Sequence, residues 1–309
     1  IYTLSLHDAL PIYELFSRSR IRERRFRRGS RNEPCPGAGF SRGAFFASGL
    51  EGMILNRNQV KTTYSDKAAL RGEPSYVWRA GQERRMRLIL EAAQGREQGV
   101  ILEDGCGVGM YLTRLARTAK LAVGLEVERE RAIEALGLIQ GTSGAVINSV
   151  GEELPFPSDS FDLILSHEVI EHVVDDRRCI AEIVRTLKPG GRLVLFCPNR
   201  GYPFETHGIY RRGTYEFGNK LFVNYLPRPL RDRLCPHVNV YTDGDLRKLF
   251  AGLPVRFVRR TVLFGAYDNL IARFGPFAKA LRAALQALEK TPLRFFGLSH
   301  FWVVEKIQD

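Results

Sequence analysis

Val100-Ile101-Leu102-Glu103-Asp104-Gly105-Cys106-Gly107-Val108-Gly109 is the stretch that decides the fold. An aliphatic run ends in two acids and passes into three glycines, and a helical period follows from Tyr111. Glycines at a strand-to-helix turn let the backbone bend sharply and approach a ligand with no Cβ in the way, which is how nucleotide-like cofactors are gripped. The spacing is GxGxG, with Met110 where a dinucleotide fingerprint needs its last glycine. Charge points the same way. A diphosphate wants N–H donors and positive potential, which two carboxylates oppose. A ligand bearing an ammonium group is favoured instead, by on the order of a few kcal/mol at about 4 Å and an effective dielectric near 20. S-adenosylmethionine is such a ligand.

Outward from this stretch the chain alternates between helical periods and short Val, Ile and Leu runs, the pattern of a parallel sheet wrapped by helices. Strands are expected at Val100 to Glu103, Leu121 to Glu126, Ala145 to Ser149, Phe161 to Ser166 and Arg192 to Cys197. Helices are expected at Arg84 to Gln94, Tyr111 to Lys120, Glu128 to Gln140 and Asp176 to Leu187, with Lys188-Pro189-Gly190-Gly191 as a turn. After Cys197, prolines and glycines interrupt any regular element for about forty residues, which reads as a lid or binding segment at about 199–241. Thr242 can cap a helix through Phe250. A strand at Val255 to Leu263 follows, then a helical insertion at about 266–297 interrupted at Gly275-Pro276, and a strand at Phe301 to Lys306.

The glycine stretch resembles motif I of the class I S-adenosylmethionine-dependent methyltransferases, in particular the type 11-like branch that includes many small-molecule methyltransferases, and later motifs follow in the family's order. The resemblance covers roughly residues 80–200. It implies an α/β, Rossmann-like, doubly wound seven-stranded sheet, mostly parallel with an antiparallel last strand. It implies S-adenosyl-L-methionine as cofactor, held around Glu103, Gly105, Cys106, Gly107 and Gly109. Glu126, 21 residues beyond Gly105, would bind both ribose hydroxyls, and Val127 would pack on adenine. Gly151-Glu152-Glu153-Leu154-Pro155-Phe156 resembles the segment closing over the adenine, which implies roles for Glu152 and Leu154. Ser166-His167-Glu168-Val169-Ile170-Glu171-His172-Val173 resembles the fourth strand's end beside the methionine portion, which implies a role for Ser166. Two positions depart from the pattern. Val150 stands where an Asp usually receives the adenine amino group, and Asp104 replaces a residue that is more often apolar or small.

On the acceptor side the segment Pro198 to Gly208 should open at the cofactor's edge of the sheet. His207, His167 and Glu205 are the candidates for removing a proton from an acceptor hydroxyl, since His titrates near neutral pH. The reaction would be in-line displacement at the sulfonium methyl, which needs mainly alignment at about 3 to 3.5 Å. The acceptor is expected to be small or lipid-like. Basic and aromatic residues mixed from Tyr210 to Arg233 leave RNA or a peripheral membrane contact as further partners, and no obligate protein partner is evident. The other readings of the fold are an NAD(P)-dependent dehydrogenase and a non-enzymatic RNA-binding module. The family's Pro-Pro-aromatic signature for planar amines is absent, which disfavours DNA bases.

Composition frames these readings. The chain has 309 residues, 44% apolar and 26% charged, inside the globular range, with a formal charge of +12. Eight Arg lie between Arg18 and Arg31. Residues 1–12 resemble the translation of a sequencing adapter, so residues 1–52 are expected to be non-native or disordered, with a methyltransferase domain at 53–309 starting at Met53. No run approaches the 18 apolar residues of a membrane span and no leader pattern is seen, so a cytoplasmic protein is expected. Five scattered cysteines without a CxxC pair exclude a disulfide framework and give no sign of a metal site.

Overall fold

The computed structural model describes residues 76–308. The segment 1–52, the start at Met53 and Cys35 lie outside the described residues. In chain order the described part runs α1 (Ala80–Ala93), β1 (Val100–Asp104), α2 (Leu112–Leu115), β2 (Leu121–Glu126), α3 (Arg129–Leu138), β3 (Gly144–Asn148), β4 (Phe161–His167), α4 (Asp176–Thr186) and β5 (Leu187–Pro198). The order β3-β2-β1-β4-β5 pairs in parallel throughout. Beyond β5 come β10 (Val255–Leu263) and β11 (Ser299–Lys306), and β11 inserts antiparallel between β5 and β10. This is the expected seven-stranded, doubly wound α/β sheet.

Strand parity builds its two cores. Ile101, Leu163, Leu165, Val194 and Phe196 face α1, α2 and α3. Leu102, Ile164, Leu193 and Leu195 face α4 and α6 (Asp243–Leu249). Burial on both faces explains why these strands read as continuous apolar runs.

Three local expectations need correction. The helix expected over Tyr111 to Lys120 is regular only over Leu112–Leu115. The Ser143 hydroxyl reaches the carbonyls of Ala116 and Ala119, and the chain finishes in turns. The Lys188 to Gly191 turn lies inside β5 as a bulge: Phe161 pairs with Leu187, Leu163 with Arg192, and the residues between loop out through Gly190 at φ 78°. The segment 199–241 is not structureless. It contains β6 (Phe204–Glu205) paired with β9 (Lys220–Leu221), the hairpin β7 (Ile209–Arg211) with β8 (Thr214–Glu216), and α5 (Arg228–Leu234). Val223, Cys235 and Val238 form its own small core.

Thr242 caps α6 as expected, accepting from the Asp245 amide while Asp245 accepts from the Thr242 amide. α7 (Asp268–Ala287) is kinked at Gly275, as the Gly275-Pro276 pair foretold. Among the described residues no helix is long and apolar enough to cross a membrane.

Candidate active site

The chain order reverses between β1 and β4, and a cleft of about 1010 Å³ opens at the carboxyl ends of these strands, where open α/β sheets bind ligands. Gly105, at φ 72°, is required there. A Cβ would stand 2.3 Å from a Val169 methyl, so any larger residue pushes the β4 loop away. Cys106 closes the bend by donating its amide to Leu125 O at 2.8 Å. Its side chain fills the space over Gly124, and burial first, then Glu103 and Glu126, pushes its thiol far up, so it packs rather than reacts.

Glu126 ends β2 with each carboxylate oxygen on one backbone donor, Gly107 N at 2.9 Å and Glu128 N at 2.8 Å. A carboxylate offers about four acceptor sites, so both oxygens keep capacity toward the cleft they line. Glu103 lines the cleft from β1. It is buried, and its Oε2 has no hydrogen-bond partner. Burial, then the Glu126 charge, raises its pKa well above the usual carboxylate range. Tyr111 places another unpartnered buried group, its hydroxyl, in the same cleft. Val127, Ser149, Val150 and Glu152 form the wall beyond Glu126, and Glu152 is fixed by the Val174 amide at 2.8 Å.

S-adenosylmethionine fits these residues. The orphaned Glu103 oxygen would take its ammonium group, the glycine bend would admit it closely, and Glu126 would meet its ribose.

Sequence and structure meet here: a family model described as a methyltransferase domain matches residues 102–195, which include the glycine bend, Glu126 and the end of β4. Residues 102–195 are thus similar to a methyltransferase domain. The chain is 30% identical over 128 residues to a probable S-adenosylmethionine-dependent methyltransferase of Mycolicibacterium smegmatis, covering 41% of this chain and 48% of that one. It is 36% identical over 101 residues to a probable chloroplastic tocopherol O-methyltransferase of rice, covering 31% and 28%. The chain thus spans about half or less of these curated relatives. Its fold is that of an S-adenosylmethionine-dependent methyltransferase from Mesorhizobium loti, with a TM-score of 0.52 at 19% identity, over 74% of this chain and 98% of that one.

Within this fold several expected site residues take other roles. Ser166 pairs with Asp104 across β1 and β4, its hydroxyl donates to Asp104 Oδ2 at 3.1 Å, and its side chain is wholly buried outside the cleft. Leu154 packs into the α4-side core, and Glu182 and Arg185 occupy its amide and carbonyl. Gly109 does not line the cleft; it lets α3 approach, since a Cβ would sit 3.1 Å from that of Ala135. His167 does line the cleft, but the Arg85 guanidinium donates to its Nε2, and burial, then Arg85, lowers its pKa to about 3. An imidazole with that lone pair engaged is not a general base.

Glu205 is corrected too. It lies outside the main cleft, buried against Arg231 at 2.7 Å. Burial would raise its pKa, but hydrogen bonds from the His207 ring and amide, then the charges of His207 and Arg231, bring it down to about 2. It is a permanent acceptor, and it holds His207 through Nδ1 at 3.0 Å and through the amide at 2.9 Å. His207 does line the cleft, with its ring 5.3 Å from that of His172.

The sequence reading missed Arg85, Tyr111 and Arg231 as parts of the site. It also missed that Glu171, His172 and His207 bring potential metal-ligand atoms within 4.8 Å of one another.

Proposed function

We propose that this chain is an S-adenosylmethionine-dependent methyltransferase acting on a hydroxyl of a small or lipid-like molecule. One observation carries the reading: a single cleft holds the buried Glu103 carboxyl, with one unpartnered oxygen, and Glu126 at its cofactor end, and His207 braced by Glu205 on its wall. When bound, the cofactor supplies an electrophilic methyl group.

The chain's own residues then have defined tasks. Because His207 donates from Nδ1 to Glu205, its lone pair sits on Nε2 and can accept an acceptor proton. Glu205, held ionised, would stabilise the imidazolium that results, as buried carboxylates do behind catalytic histidines. Arg231 prevents Glu205 from taking the proton itself and fixes it in place, with Nη1 donating to Val238 O at 2.8 Å.

The acceptor wall combines Leu263, Phe264, Tyr267, Leu270 and Leu298, apolar surface suited to an amphipathic molecule. Outside the cleft, exposed Phe274, Phe277 and Leu281 sit on α7 with Arg273, Lys279 and Arg282. A membrane surface suits that mixture when the acceptor is lipid-like.

Calorimetric titration with S-adenosylhomocysteine and with NADH, followed by radiolabelled methyl transfer into fractionated lipid and polar extracts, tests the reading. Binding of S-adenosylhomocysteine and label in an alkali-stable ether are expected. Tight NADH binding without S-adenosylhomocysteine binding would overturn it.

A further inference from the structure

Glu171 is a buried carboxyl without a cation. It is 1% exposed, neither of its oxygens makes a well-formed hydrogen bond, its own amide and the Glu168 carboxyl are the polar groups that stand nearest, and among the described residues no ion pair involves it. Its polar neighbour is a second carboxylate, Glu168, which carries its own partners in Arg85 and the Ser299 hydroxyl. A buried carboxyl left in this way is costly unless it is paired or coordinates a metal.

Two histidines face the same place. His172 presents an Nδ1 that is buried and unpartnered, while its ring also hydrogen-bonds to the backbone of His237. His207 holds Glu205 through Nδ1, which leaves Nε2 open. Both rings line the cleft, and one ligand atom from each of Glu171, His172 and His207 lies within 4.8 Å of the others.

We infer that Glu171, His172 and His207 form a binding site for a divalent metal ion of the zinc class at the acceptor end of the cleft. This deepens the function proposed above and rests on its placement of the acceptor at His207. Two imidazoles and one carboxylate are a ligand set for zinc and neighbouring first-row ions, and three protein ligands leave a position open to substrate. Bonds of about 2.0–2.2 Å bring such ligand atoms to roughly 3.5 Å apart, so side-chain rotation closes the present spacing. The outer shell is already built. Metal-bound histidines almost always donate their other ring N–H to a carboxylate or carbonyl, and Glu205 and the His237 backbone stand in those places.

Occupation of Nε2 passes the activation of the acceptor from imidazole to the ion. A hydroxyl in the open position becomes more acidic and releases its proton to solvent buffer. Its oxygen pair forms the new O–CH3 bond as the S–CH3 bond breaks, and that bond's electron pair stays on sulfur.

The test titrates chelator-treated protein with zinc by calorimetry and with cobalt(II) by visible absorption, with S-adenosylhomocysteine affinity measured on the same sample. One equivalent of metal is expected, with a cobalt spectrum of low coordination number. His172→Asn and Glu171→Gln should each weaken zinc binding by at least about tenfold, and Glu205→Gln, which does not touch the ion, by about 10- to 100-fold. Should Glu171→Gln fail to fold, His172→Asn at the cleft wall decides. Protein that binds S-adenosylhomocysteine but takes up no stoichiometric zinc, or whose His172→Asn form binds zinc unchanged, overturns the metal site and leaves the methyltransferase reading standing. Protein that binds neither overturns both.

Discussion

Replacing Arg231 with Met should be among the most damaging single changes outside the cleft. Arg231 and Glu205 are 2% and 1% exposed at the side chain and 2.7 Å apart. Removing one member of a buried pair leaves an uncompensated charge and costs about 3–5 kcal/mol. In a domain of this size each kcal/mol lowers Tm by about 2–4 °C, so Arg231→Met should melt about 6–20 °C lower. The sign with pH follows from Glu205. Its folded pKa is about 2 against an ordinary 4.5, so its contribution is present above the ordinary value and is lost as pH falls from about 4.5 to about 2. A drop of that size corresponds to about 3 kcal/mol, shared between His207 and Arg231. The gap between wild type and Arg231→Met should therefore narrow toward pH 3. The double variant Glu205→Leu with Arg231→Met removes both charges and should recover most of the loss, because a buried pair exchanged for apolar residues is often neutral. Thermal melts of the four proteins across pH check this. A gap that is constant with pH, or a double variant as unstable as the sum of its singles, would refute the idea that uncompensated burial is the cause.

Other outcomes follow from the cleft. Glu126→Ala should weaken S-adenosylhomocysteine binding by about 1.5–3 kcal/mol, roughly 10- to 150-fold, through lost charged hydrogen bonds and through release of the Gly107 and Glu128 amides; calorimetry reads it, and an unchanged Kd removes Glu126 from the pocket. Because burial raises the Glu103 pKa and a bound cation would lower it again, binding of S-adenosylmethionine should be accompanied by proton release, seen as binding heats that vary with buffer ionisation enthalpy; equal heats in all buffers would count against the role of Glu103. Burial, moderated by the Ser166 hydroxyl, raises the Asp104 pKa to about 6, so stability is full below its ordinary value near 4 and declines as pH rises through 6. Asp104→Asn should then be more stable than wild type at pH 7.5, by up to about 3 kcal/mol, and nearly equal at pH 4; chemical denaturation at both pH values decides.

The central sheet was legible because strands buried on both faces cannot hide their apolar runs, as at Leu121–Glu126, while the largely exposed edge strand Val255–Leu263 showed itself by alternation; both matched to the residue. The lid was not, since β6 to β9 are two or three residues long, shorter than any period can register. In the site, residues consecutive with a strand end were found, but spacing does not give the direction of a side chain. Parity gives part of it: Ser166 follows Ile164 onto the α4 face, where Cys179 also approaches Asp104, whereas Glu103 follows Ile101 onto the face of α1 and α2. What no local pattern could show is the meeting of Glu171 and His172 with a histidine 35 positions later.

The small core of Val223, Cys235 and Val238 gives residues 199–241 a packing centre separate from the two that clothe the sheet. A segment with its own interior can be exchanged as a cassette. Under the proposed function, replacing it would change the choice of acceptor while Glu103 and Glu126, on β1 and β2, keep the same methyl donor.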